Sequence, residues 1–147
     1  MGCLGMKSMG MLVALLLAIA SAASAAEIHC DICGMTIPDH AKNHLLLKTG
    51  AADAKQLHVC SLSCVRKARK HDSTLTQSAI ADFNHSDSML PGEKAFVLIQ
   101  SQKIRADMGE MAMPPFAAGF RTRREAEAAR EKYGDGAVVE GLENAFK

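Results

Sequence analysis

Four cysteines in two closely spaced pairs are the residues of this sequence best suited to chemistry. Cys30 and Cys33 lie in the motif CDICGM, and Cys60 and Cys64 lie in the motif CSLSC. Two residues between thiols let both sulfurs face one ion across a tight turn, and Gly34 lets the backbone curl without a side-chain clash. Two such pairs in one chain predict a four-thiolate site for zinc or a thiolate site for Cu(I).

The same cysteines allow other interpretations. In an oxidising compartment four cysteines can form two disulfides, although a chain of this size buries a core without them. The pair Cys30 and Cys33 also has the CxxC spacing of a thiol–disulfide oxidoreductase, but it lacks the strand–CxxC–helix context and the cis-proline partner of a thioredoxin-like site. A closed four-cysteine zinc site in an interaction module is the remaining alternative.

Methionines supply further soft ligands. Three of them lie in a stretch that glycine and proline interrupt, which favours a loop, and a thioether remains a ligand at low pH because it carries no proton to displace. Sulfur donors favour Cu(I) over hard ions, and no set of carboxylates and histidines suits a harder ion. We therefore expect a non-enzymatic protein that binds Cu(I), with zinc as the alternative, through Cys30, Cys33, Met35, Cys60, Cys64, Met108, Met111 and Met113.

The amino-terminal segment predicts export. Lys7 precedes an apolar run from Met11 to Ala20, and small residues follow with a cleavage position after Ala25. The apolar run is shorter than the ~20 residues that cross a bilayer. The residues Glu27-Ile-His29 before Cys30 do not form a lipobox. We expect a signal peptide over residues 1–25, one domain over residues 26–147, and a periplasmic location.

The rest of the chain predicts two similar halves. The first half contains a strand at 44–49, a strand at 56–60, a basic helix at 61–71 with Ser61 as N-cap, and a strand at 78–84. If the first two strands form a hairpin, both cysteine pairs meet at one end of this half. Cys64 would then lie at the helix N-terminus, which stabilises a thiolate.

The second half repeats this order incompletely. A strand at 94–100 follows a Pro91-Gly92 turn, and the methionine-containing stretch 101–119 reads as irregular. A capping box at Thr122–Glu125 opens a helix that ends near Tyr133, before a strand at 137–140 and a final helical turn. One strand of this half is therefore missing or hidden in the irregular stretch. The fold class is α+β, with two pseudo-repeats that share a core.

Several segments together resemble the NosL family of accessory proteins for nitrous-oxide reductase maturation. They are the motifs CDICGM and HVCSLSC, the segments ADFN and EKAF, and the ending that runs from Phe116 through REAE to Gly136. The resemblance spans nearly all of the mature chain, in a four-cysteine branch. It implies two ββαβ units and an exported Cu(I) chaperone that delivers copper to an apo-enzyme or a membrane maturation complex.

The charge of the chain and its amino-terminal sequence bear on two other classes of partner, nucleic acids and membranes. The formal net charge is +1 at pH 7, and no sustained basic region lies outside one helix, so nothing indicates nucleic-acid binding. Many NosL proteins resemble lipoproteins, which leaves membrane association open even though this chain has no lipobox.

Overall fold

The computed structural model describes residues 27–50, 54–109 and 112–146. The signal peptide predicted over residues 1–25 lies outside them, as does Met111. Among the described residues, no helix combines the length and the apolar character needed to cross a membrane.

The first half begins with a short hairpin and continues into a four-stranded sheet. Strands β1 and β2 pair antiparallel, and the sheet has the antiparallel order β4-β3-β5-β6. Helix α1 connects β4 to β5. The bounds are β1 Ile28–His29, β2 Thr36–Ile37, β3 Leu45–Lys48, β4 Gln56–Val59, α1 Leu62–His71, β5 Thr76–Ala81 and β6 Met89–Pro91.

The second half has a three-stranded antiparallel sheet of order β8-β7-β9. In both of these sheets the strand that comes first in the chain, β3 or β7, lies between two neighbours. The next strand, β4 or β8, pairs on one side, and the strand after the helix, β5 or β9, pairs on the other. The prediction of an α+β fold with two ββαβ-type units is therefore confirmed. The bounds are β7 Phe96–Ile99, α2 Arg105–Met108, β8 Ala117–Phe120, α3 Arg123–Tyr133, β9 Ala137–Glu140 and a final 3-10 helix Leu142–Phe146.

Local sequence signals set the helix ends. The Ser61 hydroxyl accepts the backbone N–H of Cys64 at 3.3 Å, and Thr122 and Glu125 form the predicted capping box. Gly134 closes α3 in the left-handed conformation at φ 71°. The stretch predicted as irregular contains α2 and hides the missing strand, β8. Strand β6 and the β1–β2 hairpin were not predicted, because two or three residues are too few to show a period.

A buried junction joins the two units. The larger apolar cluster contains side chains from both units, including Leu45 and Val59 from the first and Val97 and Leu142 from the second. A smaller cluster lies mainly in the second unit. Gly119 of β8 accepts the backbone N–H of Phe83 at 2.8 Å, so the chain after β5 lies directly against the second sheet. The units therefore share a core, as predicted.

Candidate metal centre

The four cysteines converge on one point. Their sulfur atoms all lie within 4.8 Å of one another. Cys33 Sγ is 3.6 Å from Cys60 Sγ, which is 3.7 Å from Cys64 Sγ. Metal–sulfur bonds of ~2.3 Å at tetrahedral angles place two sulfurs ~3.8 Å apart. The group can therefore hold one soft metal ion such as zinc or copper.

The β1–β2 hairpin holds the first pair. The Gly34 N–H donates to the Cys30 carbonyl at 2.8 Å, and the Cys30 N–H donates to the Met35 carbonyl at the same distance. Gly34 has φ +74°, a backbone conformation that is energetically unfavourable for any residue with a side chain. The two hydrogen bonds close a turn that directs both sulfurs to one side. The positive φ explains why glycine follows the CxxC motif.

The second pair lies where β4 passes into α1. Cys60 follows the last residue of β4, Ser61 caps the helix, and Cys64 lies in the first turn. The Asn43 amide donates to the Cys60 carbonyl at 2.8 Å and fixes this corner from β3's side. The helix N-terminus presents its partial positive charge beside Cys64, which favours a thiolate.

Hydrogen bonds also link the segments that carry the cysteines, and two histidines form a pair on β3's side of β4. The Asp31 N–H donates to the His58 carbonyl at 2.8 Å, and the His58 N–H donates to Asp31 Oδ2 at 2.6 Å. His44 Nε2 lies 2.9 Å from His58 Nδ1. Sequence reasoning missed Asp31, Asn43 and His44 because their roles depend on which strands become neighbours. Only Asp31 could have been singled out from the sequence, because it lies inside the CxxC motif.

The four thiols differ in exposure and acidity. Cys30, Cys60 and Cys64 are buried, at 2%, 5% and 8% exposed, while Cys33 is exposed. Burial raises the pKa of Cys60, and contact with the Cys33 sulfur adds to it. Burial also raises the pKa of Cys64, because its effect is larger than that of the hydrogen bond with Ser61, which lowers the pKa.

The exposed thiol behaves differently. Burial by itself raises the pKa of Cys33, but hydrogen bonds from the Met35 backbone and the neighbouring thiols outweigh it, so the pKa falls below its usual value. Because a metal binds thiolates, loading the site releases protons, and the buried thiols are the ones whose protons an ion must displace. All four are free thiols, and no disulfide joins them.

The predicted methionine ligands are spread over different surroundings. Met35 is half-buried and lies two residues after Cys33. Met108 is buried, 4% exposed, in the apolar cluster of the second unit, which contains no cysteine. Met113 is exposed, and the next residue, Pro114, accepts a hydrogen bond from the Ser63 hydroxyl at 3.0 Å. The loop that carries Met113 therefore contacts the helix turn between Cys60 and Cys64.

Comparisons with known proteins identify no relative. No family model, curated protein or solved structure matches the chain.

Proposed function

We propose that this protein is an exported Cu(I) carrier that delivers copper during maturation of a copper enzyme and catalyses no reaction itself. The observation that carries the proposal is the convergence of four free thiol sulfurs within 4.8 Å. Thiolate sulfur selects Cu(I) and zinc among biological ions. A target apo-enzyme or a membrane maturation complex is the partner that the resemblance to NosL proteins suggests.

Two features favour copper over zinc. Cu(I) is satisfied by fewer ligands than a structural zinc ion, so an exposed sulfur such as Cys33 can be exchanged while the ion stays bound. Thioethers are ligands for copper rather than for zinc, and Met35 and Met113 adjoin segments that carry the cysteines. Both arrangements suit an ion that is carried and released.

A structural zinc site is the second candidate. Sulfur separations of 3.6 and 3.7 Å fit a tetrahedral four-sulfur site, and a zinc ion there would join the hairpin to the start of α1. An oxidoreductase has less support, because Cys30 and Cys33 lie in the turn of a β-hairpin rather than at the start of a helix.

Anaerobic titration tests the carrier. The reduced protein is titrated with Cu(I) in the presence of the chelator bathocuproine disulfonate, beside a variant with Cys30, Cys33, Cys60 and Cys64 changed to serine. We expect one Cu(I) per chain in the unmodified protein and none at the same chelator concentration in the variant. Equal copper retention by the two proteins would end the proposal.

Elemental analysis separates copper from zinc. Protein purified without chelators from the compartment where it resides should contain copper, or should accept Cu(I) in place of any zinc within minutes. One zinc per chain that resists Cu(I) and is needed for folding would make the structural zinc site the better account.

A further inference from the structure

We propose that Cys33 is the exchange ligand of the four-cysteine group, the sulfur that first takes up the ion and first releases it to an acceptor's thiolate or thioether. This inference rests on the proposed soft-metal function and assigns the order in which the sulfurs act. The observations behind it are the exposure of each sulfur, the open space at the hairpin tip, and the chemistry of ligand replacement.

The burial of the cysteines is uneven. Cys30, Cys60 and Cys64 belong to the large apolar cluster of the protein, together with Leu62 and Val65 of α1. Cys33 is the only exposed member of the group. An incoming ligand must touch the ion from the side where protein does not already cover it, and that side is the Cys33 side.

The neighbouring backbone leaves the approach open. A side-chain carbon placed on Gly34 would meet no heavy atom within 4 Å. Asp31, Cys33 and Gly34 are all exposed at the hairpin tip. A partner's sulfur can therefore come within bonding distance of the ion without moving a strand or a helix, whereas reaching the sulfur of Cys60 requires opening the core.

The exchange step needs no redox chemistry. The acceptor's sulfur forms a bond to Cu(I) as the Cys33–metal bond breaks, and copper stays in the +1 state. If the acceptor is a thiol, its proton passes to the released Cys33 thiolate, and if it is a thioether, Cys33 takes a proton from water. The buried sulfurs hold the ion during this step, so copper is never free in solution.

Thiol reactivity in the metal-free protein is the first test. Reduced protein receives less than one equivalent of iodoacetamide, which forms a stable thioether, and peptide mass spectrometry locates the modified cysteine. We expect Cys33 to react at least ~10-fold faster than any of the other three, because the reagent reaches an exposed thiol before the three buried ones. Equal or faster labelling of Cys30, Cys60 or Cys64 would overturn the inference.

Copper transfer is the second test. Protein loaded with one Cu(I) is mixed with iodoacetamide and an increasing concentration of a synthetic peptide that contains three methionines and no cysteine. We expect alkylation of Cys33 to accelerate with peptide concentration before any other cysteine reacts. The fast phase should persist in Asp39→Ala, which changes an exposed residue outside the group, and disappear in Cys33→Ser.

The outcomes separate this inference from the proposed function. If the unmodified protein binds no Cu(I), the proposed function fails, and the exchange role fails with it. If it binds Cu(I) but a buried cysteine is alkylated first during transfer, the carrier remains and the exchange role of Cys33 is wrong.

Discussion

Two hydrogen bonds link Asp31 and His58: the Asp31 N–H donates to the His58 carbonyl, and the His58 N–H donates to the Asp31 carboxylate. Asp31 lies between the two cysteines of the hairpin, and His58 lies two residues before Cys60. The two bonds therefore tie the segments that carry the two cysteine pairs. A ligand set built from separate segments binds an ion tightly only when such contacts hold the segments in register.

Changing Asp31 to alanine should weaken metal binding without removing a ligand. The loss of the carboxylate removes one of the two hydrogen bonds that tie the hairpin to β4, and supporting contacts of this kind contribute ~10–100-fold to metal affinity. Competition titration with Cu(I) measures the effect, with Asp39→Ala, an exposed carboxylate outside the site, as the control. Equal affinities of the two variants would show that the link does not organise the site.

Changing Asn43 to alanine should destabilise the fold. Asn43 is 8% exposed, and its amide donates to the Cys60 carbonyl at 2.8 Å, so the variant leaves a carbonyl at the cysteine corner without its donor. A loss of ~1–3 kcal/mol in the free energy of unfolding is expected for a buried polar group left unpaired. Urea unfolding of the metal-free reduced protein measures it, and an unchanged midpoint would argue against this role.

His44 should make the fold less stable in mild acid. Burial, together with the charge of His58, lowers the pKa of His44 from 6.5 to about 4. Between these values the unfolded chain binds a proton that the folded protein does not. The stabilisation is therefore complete above pH 6.5 and is lost as the pH falls towards 4.

The contribution of His44 is ~1 kcal/mol once solvent screening of a partly exposed ring is considered. The measurement is the free energy of unfolding at pH 7 and pH 5 for the metal-free protein, for His44→Gln and for the exposed control His71→Gln. The pH dependence should shrink in His44→Gln alone. An equal pH dependence in all three proteins would assign the effect to other groups.

Changing Gly119 to alanine should weaken the junction between the two units and destabilise the fold. The new methyl group would lie 2.7 Å from Ile80 Cγ2 and 2.8 Å from the Ala81 carbonyl oxygen, which is too close without a backbone shift. Overpacking of this kind costs ~1–3 kcal/mol. Thermal unfolding should show a lower midpoint, and a midpoint equal to that of the unmodified protein would mean that the junction adapts freely.

Sequence reasoning found the elements whose signals are local. The capping box at Thr122 and the glycine at residue 134 fix the ends of α3 by hydrogen bonds within one turn. The strand Phe96–Ile99 is an apolar run bounded by polar residues. Strand β8 was missed because its sequence, AAGF, has small residues that fit a close contact between sheets and no alternating pattern.

The cysteine group was predictable and its surroundings were not. Cysteine spacing together with a hairpin between β3 and β4 brings the two pairs to one end, and the four sulfurs do converge there. The exposure of Cys33 and the burial of Met108 depend on how the whole core packs, which the spacing of residues along the chain does not specify.

The proposed function requires that cysteine sulfur from both pairs binds one soft ion. X-ray absorption spectroscopy of protein loaded with one equivalent of Cu(I) tests it most directly, because it counts the atoms bonded to the metal and measures their distances. We predict a shell of sulfur alone, with metal–sulfur distances of ~2.3 Å. A shell that contains nitrogen or oxygen, or one that is unchanged when Cys30, Cys33, Cys60 and Cys64 are replaced by serine, would contradict this binding mode.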